Sequence, residues 1–124
     1  MDALPSVLVV EDQAISARAA KVMLERIGCR VIGVMDTGEG AISAAERSRP
    51  DLVLMDIRLK GKMNGVEAAA LIQERFGTPI IYVSAYSPHE LSERHEFDEA
   101  SRCLSKPIGE AELAAAVRDV LAGR

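Results

Sequence analysis

Five polar side chains in this sequence could together handle a metal ion and a phosphoryl group. They lie at the ends of short apolar stretches and are Glu11, Asp12, Asp56, Ser84 and Lys106. Three carboxylates that lie close together repel one another unless a cation neutralises them. Mg²⁺ suits such a cluster because it accepts a few carboxylate oxygens and keeps water or phosphate oxygens in its other positions. The set therefore predicts a magnesium site beside a group that reacts with phosphorus.

The expected reaction has Asp56 at its centre. Its carboxylate would bind Mg²⁺ through one oxygen and attack phosphorus with the other. Transfer to a carboxylate requires in-line geometry and neutralisation of the equatorial phosphoryl oxygens, which the metal ion and Lys106 can share. Ser84 would donate a hydrogen bond to the same oxygens.

The apolar stretches that precede these side chains alternate with helical patterns. The strand-like stretches are Val7–Val10, Arg30–Val34, Leu52–Met55, Pro79–Val83 and Arg102–Leu104. Between them, apolar residues recur at helical spacing, as at Ile15, Ala19 and Met23. This alternation predicts an α/β fold, a doubly wound parallel sheet of five strands covered on both faces by five helices. Ligands bind beyond the carboxyl ends of the strands in such sheets, so the five polar side chains should converge there.

The helix expected over Gly38–Arg47 has a weaker pattern than the others. Another helix is expected to begin at Ser87, where Pro88 and Glu90 are typical of a capped first turn.

Length and composition predict a single domain over residues 1–124. The 124 residues carry a net charge of −4 with 48% hydrophobic residues, which is ordinary for a folded domain. The charge balance disfavours direct contact with nucleic acid or an anionic membrane surface. Met1–Pro5 contains neither a basic segment nor an apolar signal core, which favours a cytoplasmic location. Cys29 and Cys103 lie in apolar surroundings without CxxC spacing and are interpreted as buried thiols.

The ordered set of polar side chains resembles the receiver domain of bacterial response regulators. The residues that carry the resemblance are Glu11-Asp12, Asp56, Ser84 and Lys106-Pro107, and it extends over essentially the whole chain. The resemblance implies a flavodoxin-like sheet with strand order 2-1-3-4-5. It also implies a two-component signalling switch that is not an enzyme in its own right.

The same resemblance implies a role for each residue. Asp56 would be the phosphoacceptor, and Asp12 and Asp56 would bind Mg²⁺. Glu11 would support the metal ion through water, and the main-chain carbonyl of Arg58 would be a further ligand. The donor would be a phosphohistidine on a sensor histidine kinase or a histidine phosphotransfer protein. Output would pass to a downstream protein target, and self-association would use the fourth helix, fifth strand and fifth helix.

Three features depart from the family pattern. Cys103 stands where the family usually has an aromatic residue, three positions before the lysine. The loop from Ile57 to Gly65 is one residue longer than the commonest form and lacks its proline. Tyr86 lies two residues beyond Ser84, which resembles a single-domain subgroup with its aromatic residue in that loop. The switch is therefore assigned to Ser84 and Tyr86.

Single residues of this set have other interpretations. Asp12 could merely cap the following helix, although this leaves Asp56 and Lys106 unexplained. A haloacid-dehalogenase-like phosphatase would have a second aspartate where Arg58 stands, and a nucleotide-binding protein would have a glycine-rich loop after the first strand. The remaining alternative is a pseudo-receiver that binds partners without phosphorylation.

Overall fold

Five strands and four helices alternate along the part of the chain that the structure describes. The computed structural model describes residues 4–85 and 102–123. The strands are β1 Ser6–Val10, β2 Arg30–Met35, β3 Leu52–Asp56, β4 Ile80–Ser84 and β5 Arg102–Ser105. The helices are α1 Ala14–Arg26, α2 Gly38–Ser48, α3 Gly65–Phe76 and α4 Glu110–Ala122. The helix expected to begin at Ser87 lies outside the described residues.

All strand pairs are parallel, and the strand order is β2-β1-β3-β4-β5. The doubly wound α/β fold and its strand order are therefore confirmed. β1 and β3 lie inside the sheet, and every residue of both strands is buried. Continuous apolar sequence is what a strand covered on both faces requires.

Four predicted strands ended one residue too early. β2 continues to Met35 rather than stopping at Val34. β3, β4 and β5 continue to Asp56, Ser84 and Ser105 rather than stopping at the last apolar residue. Asp56 still pairs with Val83, and Ser84 with Ser105, because backbone pairing does not depend on side-chain polarity. Two of the predicted site residues are thus held inside the sheet rather than in loops.

Each face of the sheet is covered by a different pair of helices. Strand residues such as Leu8 and Val53 pack with the alanine-rich faces of α2 and α3. Their neighbours Val7 and Leu52 point to the other face and pack with α1 and α4. Alternate strand residues point to opposite faces, so each strand contributes to both apolar clusters. Among the described residues, no helix is both long and apolar enough to span a membrane.

Candidate functional site

The three predicted carboxylates meet at the carboxyl edge of the sheet. Glu11 and Asp12 follow β1, and Asp56 ends the neighbouring strand β3. One carboxylate oxygen from each residue lies within 4.8 Å of those of the other two. Glu11 and Asp56 are only 7% and 5% exposed. The sheet therefore concentrates negative charge where two of the three carboxylates are largely buried.

Lys106 supplies positive charge to this cluster. Its ammonium lies 2.6 Å from Oε1 of Glu11 and 3.3 Å from Oδ2 of Asp56. The backbone brings it there: the Lys106 N–H donates to the carbonyl of Ser84 at 2.8 Å, and the bond to Pro107 is cis. Lys106 therefore points into the cluster, and Glu11 is an additional partner that the sequence did not reveal.

Burial and the neighbouring charged groups shift the pKa values of Glu11 and Lys106. Burial raises the pKa of Glu11, and the adjacent carboxylate of Asp56 raises it further against the opposing hydrogen bond from Lys106. Burial alone would lower the pKa of Lys106, but the hydrogen bond to Glu11 and the charge of Asp56 together raise it. The ammonium therefore keeps its proton and stays paired with the carboxylates at neutral pH.

Backbone N–H groups hold the other carboxylate oxygens. The N–H of Arg58 donates to Oδ1 of Asp56 at 3.0 Å. The N–H of Lys60 donates to Oδ2 of Asp12 at 3.1 Å, so the longer loop after β3 crosses the acidic cluster. Asp12 does not cap α1, because the N-cap residue is Gln13 and its side chain makes no capping bond. Helix capping therefore does not account for Asp12.

The remaining predicted site residues have different placements. Ser84 is fully buried beside the cluster, at the end of β4. Arg58 lines the cleft above Asp56. The role of its main-chain carbonyl as a metal ligand stays a prediction. Tyr86 lies outside the described residues. Cys103 is partly buried and packs against the apolar cluster that contains the buried Tyr82.

The donor set fits a hard divalent cation. It consists of carboxylate oxygens, which Mg²⁺ prefers, and the described residues place no thiolate or imidazole among them. The cluster also opens into a cleft of about 550 Å³ lined by Asp12, Asp56, Asn64, Ala85 and Lys106, among others. Water or phosphate oxygens can therefore reach the remaining coordination positions of a bound ion.

A second cleft begins at the same carboxylates and runs along α1. It has a volume of about 380 Å³, and Asp56 and Lys106 lie at one end. Its walls are mostly apolar and include Ile15, Met23 and Ile108. Ile15 is 87% exposed, which is unusual for a large apolar side chain beside a charged site. The exposure of Ile15 could not be read from sequence, because its helical spacing is equally typical of a core residue.

The amino-acid sequence is similar to those of known proteins. The family model described as response regulator receiver domain matches residues 7–118. The chain is 32% identical over 111 residues to the transcriptional regulatory protein PdtaR of Mycobacterium tuberculosis, covering 90% of this chain and 54% of PdtaR. It is 31% identical over 121 residues to the phyllosphere-induced regulator PhyR of Methylorubrum extorquens, covering 97% of this chain and 45% of PhyR.

Similar solved structures support the same assignment. The signal receiver domain of a modulated diguanylate cyclase from Desulfovibrio desulfuricans superposes with a TM-score of 0.88 at 34% identity, covering 98% of this chain and 96% of that one. The chain spans about half the length of the curated relatives PdtaR and PhyR. One conclusion follows from the match over residues 7–118, the strand order, the acidic cluster and the lysine that points into it. This chain belongs to the response regulator receiver domain family of two-component signalling.

Proposed function

We propose that this receiver domain is a phosphorylation switch that takes a phosphoryl group from a phosphohistidine onto Asp56. The observation that carries the proposal is the convergence of Glu11, Asp12, Asp56 and Lys106 at the carboxyl edge of the sheet. A set that served folding alone would not gather three acids within 4.8 Å of one another with two of them buried.

The transfer exchanges one bond for another. A carboxylate oxygen of Asp56 forms a bond to phosphorus as the bond from phosphorus to the imidazole nitrogen of the donor breaks. The leaving imidazole keeps the electron pair of that bond. Mg²⁺, when bound by Glu11, Asp12 and Asp56, would supply charge neutralisation for the phosphoryl oxygens. Lys106 lies close enough to Asp56 to neutralise a further oxygen, and Ser84 would donate a hydrogen bond there.

Mass spectrometry after treatment with acetyl phosphate and Mg²⁺ tests the phosphoacceptor. We expect one added phosphoryl group in the wild-type protein and none in Asp56→Asn, which keeps the shape of the side chain but removes the nucleophile. Asp36→Asn, which alters an exposed acid after β2, serves as a matched control and should be labelled like the wild type. A wild-type protein that takes up no phosphate, or a phosphate on another residue, would reject the proposal.

The apolar cleft along α1 suggests where a protein donor packs. A phosphohistidine reaches Asp56 only when the protein that carries it lies against the same edge of the sheet, and Ile15 is the exposed apolar residue next to that edge. Burying such a side chain contributes about 1.5–3 kcal/mol. The donor would be a sensor histidine kinase or a histidine phosphotransfer protein. Since these proteins draw on ATP, the exchange would take place in the cytoplasm.

A comparison of two donors tests this docking surface. Ile15→Asp should slow phosphotransfer from the partner kinase and leave phosphorylation by acetyl phosphate unchanged, because the small donor needs no docking. Val22→Asp places the same charge on α1 at a residue that is also exposed but does not line the cleft, so it should have little effect. Equal slowing by both variants would contradict the assignment of the cleft.

Output would pass through protein contacts rather than a further activity of this domain. The relatives PdtaR and PhyR are a transcriptional regulatory protein and a regulator, and both extend well beyond the part that this chain matches. Single-domain organisation over residues 1–124 stays a prediction, as does the absence of direct contact with nucleic acid or membrane. Self-association through β5, α4 and the helix expected after Ser87 would appear as a phosphorylation-dependent rise in mass on sedimentation.

The switch assigned to Ser84 and Tyr86 stays a prediction. Cys103 has no ring that could move between buried and exposed positions, which favours Tyr86 as the aromatic residue of the switch. Tyr86→Ala should keep phosphorylation of Asp56 but weaken phosphorylation-dependent binding of a partner, whereas Cys103→Ala should leave both unchanged. The alternative function, a pseudo-receiver that binds partners without phosphorylation, predicts identical partner binding by the wild-type protein and Asp56→Asn.

A further inference from the structure

The first residue of α3 lies directly against the backbone of the phosphoacceptor. A Cβ atom added to Gly65 would lie 2.0 Å from the carbonyl oxygen of Asp56. It would also lie 2.9 Å from the carbonyl carbon of Asp56 and 2.9 Å from Cα of Ile57. All three neighbours are backbone atoms, which cannot turn aside as the end of a long side chain can. Any side chain at residue 65 must therefore displace the end of β3 or the start of α3.

The start of α3 is itself held firmly. The N–H of Gly65 donates to the carbonyl of Ile57 at 3.0 Å, which ties the helix to the residue after Asp56. A capping box fixes the same turn: the Asn64 side chain accepts from the N–H of Glu67 at 2.9 Å, and Oε1 of Glu67 accepts from the N–H of Asn64 at 3.0 Å. Because its first turn is fixed in this way, a movement of α3 would also move the backbone next to Asp56.

We infer that Gly65 is a positioning residue that sets where the carboxylate of Asp56 stands relative to Lys106 and the other two acids. The inference deepens the proposed function and rests on it. A displacement of the Asp56 carbonyl would also move Cα of Asp56. The carboxylate carbon is only two bonds from that Cα and would move with it. A shift of about 1 Å in a reacting group costs up to about 100-fold in rate. The close contact between α3 and β3 thus serves the reaction as well as the packing.

Adding a methyl group tests this inference against a matched control. Gly65→Ala should lower the rate constant for phosphorylation by acetyl phosphate by about 10- to 100-fold and weaken Mg²⁺ binding, measured by calorimetry, in the protein that remains folded. Gly33→Ala adds the same methyl group to β2, which does not contact α3 or the end of β3. That methyl would meet only the ends of the Leu8 and Met35 side chains, at 3.4 and 3.5 Å, which are ordinary contact distances. Gly33→Ala should keep the wild-type rate and Mg²⁺ affinity.

Several outcomes would overturn the inference. Wild-type rate and Mg²⁺ affinity in folded Gly65→Ala would show that the backbone contact does not position Asp56. An equal loss in Gly33→Ala would show that a methyl group far from Asp56 has the same effect. The Mg²⁺ titration does not require phosphate transfer, so it decides the inference even where the wild-type protein accepts no phosphate and the proposed function itself fails.

A variant that adds no atom covers the case in which Gly65→Ala does not fold. Glu67→Ala removes the bond to the N–H of Asn64 and loosens the first turn of α3 without touching Asp56. It should be phosphorylated more slowly than the wild type, while Glu74→Ala, an exposed change on the same helix beyond the capping box, should not. A wild-type rate and Mg²⁺ affinity in Glu67→Ala would then reject the inference.

Discussion

Lys106 is the cation that pairs with two buried carboxylates of the site. Its ammonium is shared between Glu11 and Asp56, and its side chain is 23% exposed. Leaving either carboxylate buried without a cation is costly, since the water that would stabilise the charge is excluded. The lysine therefore stabilises the folded chain before any phosphoryl group arrives.

Removing this ammonium should lower the free energy of unfolding and make that free energy depend more strongly on Mg²⁺. We expect Lys106→Ala to reduce the free energy of unfolding by about 2 kcal/mol without Mg²⁺, less than for a fully buried pair because the lysine is partly exposed. Mg²⁺ should then stabilise the variant more than the wild type, since it neutralises the carboxylates that the lysine has left. Urea unfolding with and without Mg²⁺ measures both effects.

A surface ion pair provides the control for Lys106→Ala. Arg102 and Asp119 lie 3.5 Å apart with side chains 54% and 58% exposed, so Arg102→Ala should change stability little. Equal losses in the two variants would contradict the special role of Lys106 in stability.

Cys103 should be an unreactive thiol at neutral pH. Burial raises its pKa to about 11, from 9.0 in the unfolded chain. In Cys29→Ala, which leaves Cys103 as the single thiol, iodoacetamide should react more slowly with the native protein than with the urea-unfolded protein at pH 8. The native thiol keeps its proton between pH 9 and 11, so its contribution to stability is present below pH 9 and is lost as the pH rises through about 11. Equal rates in the native and unfolded protein would contradict burial of the thiol.

At the scale of elements, the helices begin in different ways. The side chain of Thr37 accepts from the N–H of Gly40 at 3.0 Å and caps α2. The N-cap residue of α1, Gln13, makes no such bond. Instead, Glu11 accepts from the N–H of Gln13 at 3.2 Å, so an acid of the site occupies the start of that helix. The N-terminus of α1 thus contributes to the electrostatics of the site as well as to the fold.

The two N-cap residues should differ in their effect on stability. Thr37→Ala should lower the free energy of unfolding by about 1 kcal/mol, because the N–H of Gly40 loses its partner. Gln13→Ala should change it by less than about 0.5 kcal/mol, since no capping bond is lost. Urea midpoints with unchanged slopes would confirm both values, and a larger loss in Gln13→Ala would contradict the assignment of the caps.

At the scale of the whole molecule, one sheet joins two apolar clusters. Ile72 of α3 lies in one cluster and Leu113 of α4 in the other, and both side chains are 0% exposed. β1 and β3 contribute residues to both faces, so neither cluster can lose its packing without disturbing the strands that the other needs. The two faces should therefore unfold together.

Truncating either cluster should destabilise the whole described fold. Ile72→Ala and Leu113→Ala should each lower the free energy of unfolding by about 2–5 kcal/mol, because each leaves a cavity in a dense interior. Both variants should unfold in a single transition that circular dichroism and tyrosine fluorescence report at the same urea concentration. Separate transitions for the two probes would show that the faces unfold independently.

The sequence by itself indicated which residues form the candidate site and determined the type of fold. The apolar stretches before Asp56 and Ser84 specify strands buried on both faces, and a parallel sheet brings the polar carboxyl ends of its strands together. Local patterns also located the helices over the described residues. These features follow from the order of residue types along the chain, because burial and strand direction are encoded locally.

Only the tertiary structure decided the contacts within the site. Lys106 reaches Glu11 across 95 residues, and no local pattern specifies whether the ammonium lies nearer to Glu11 or to Asp56. Gly65 likewise reads as an ordinary helix start until the backbone of Asp56 is found against it. Both contacts depend on how the neighbouring strands and helices pack, and differences of about 1 Å in that packing arise from the sum of the whole core rather than from any one segment.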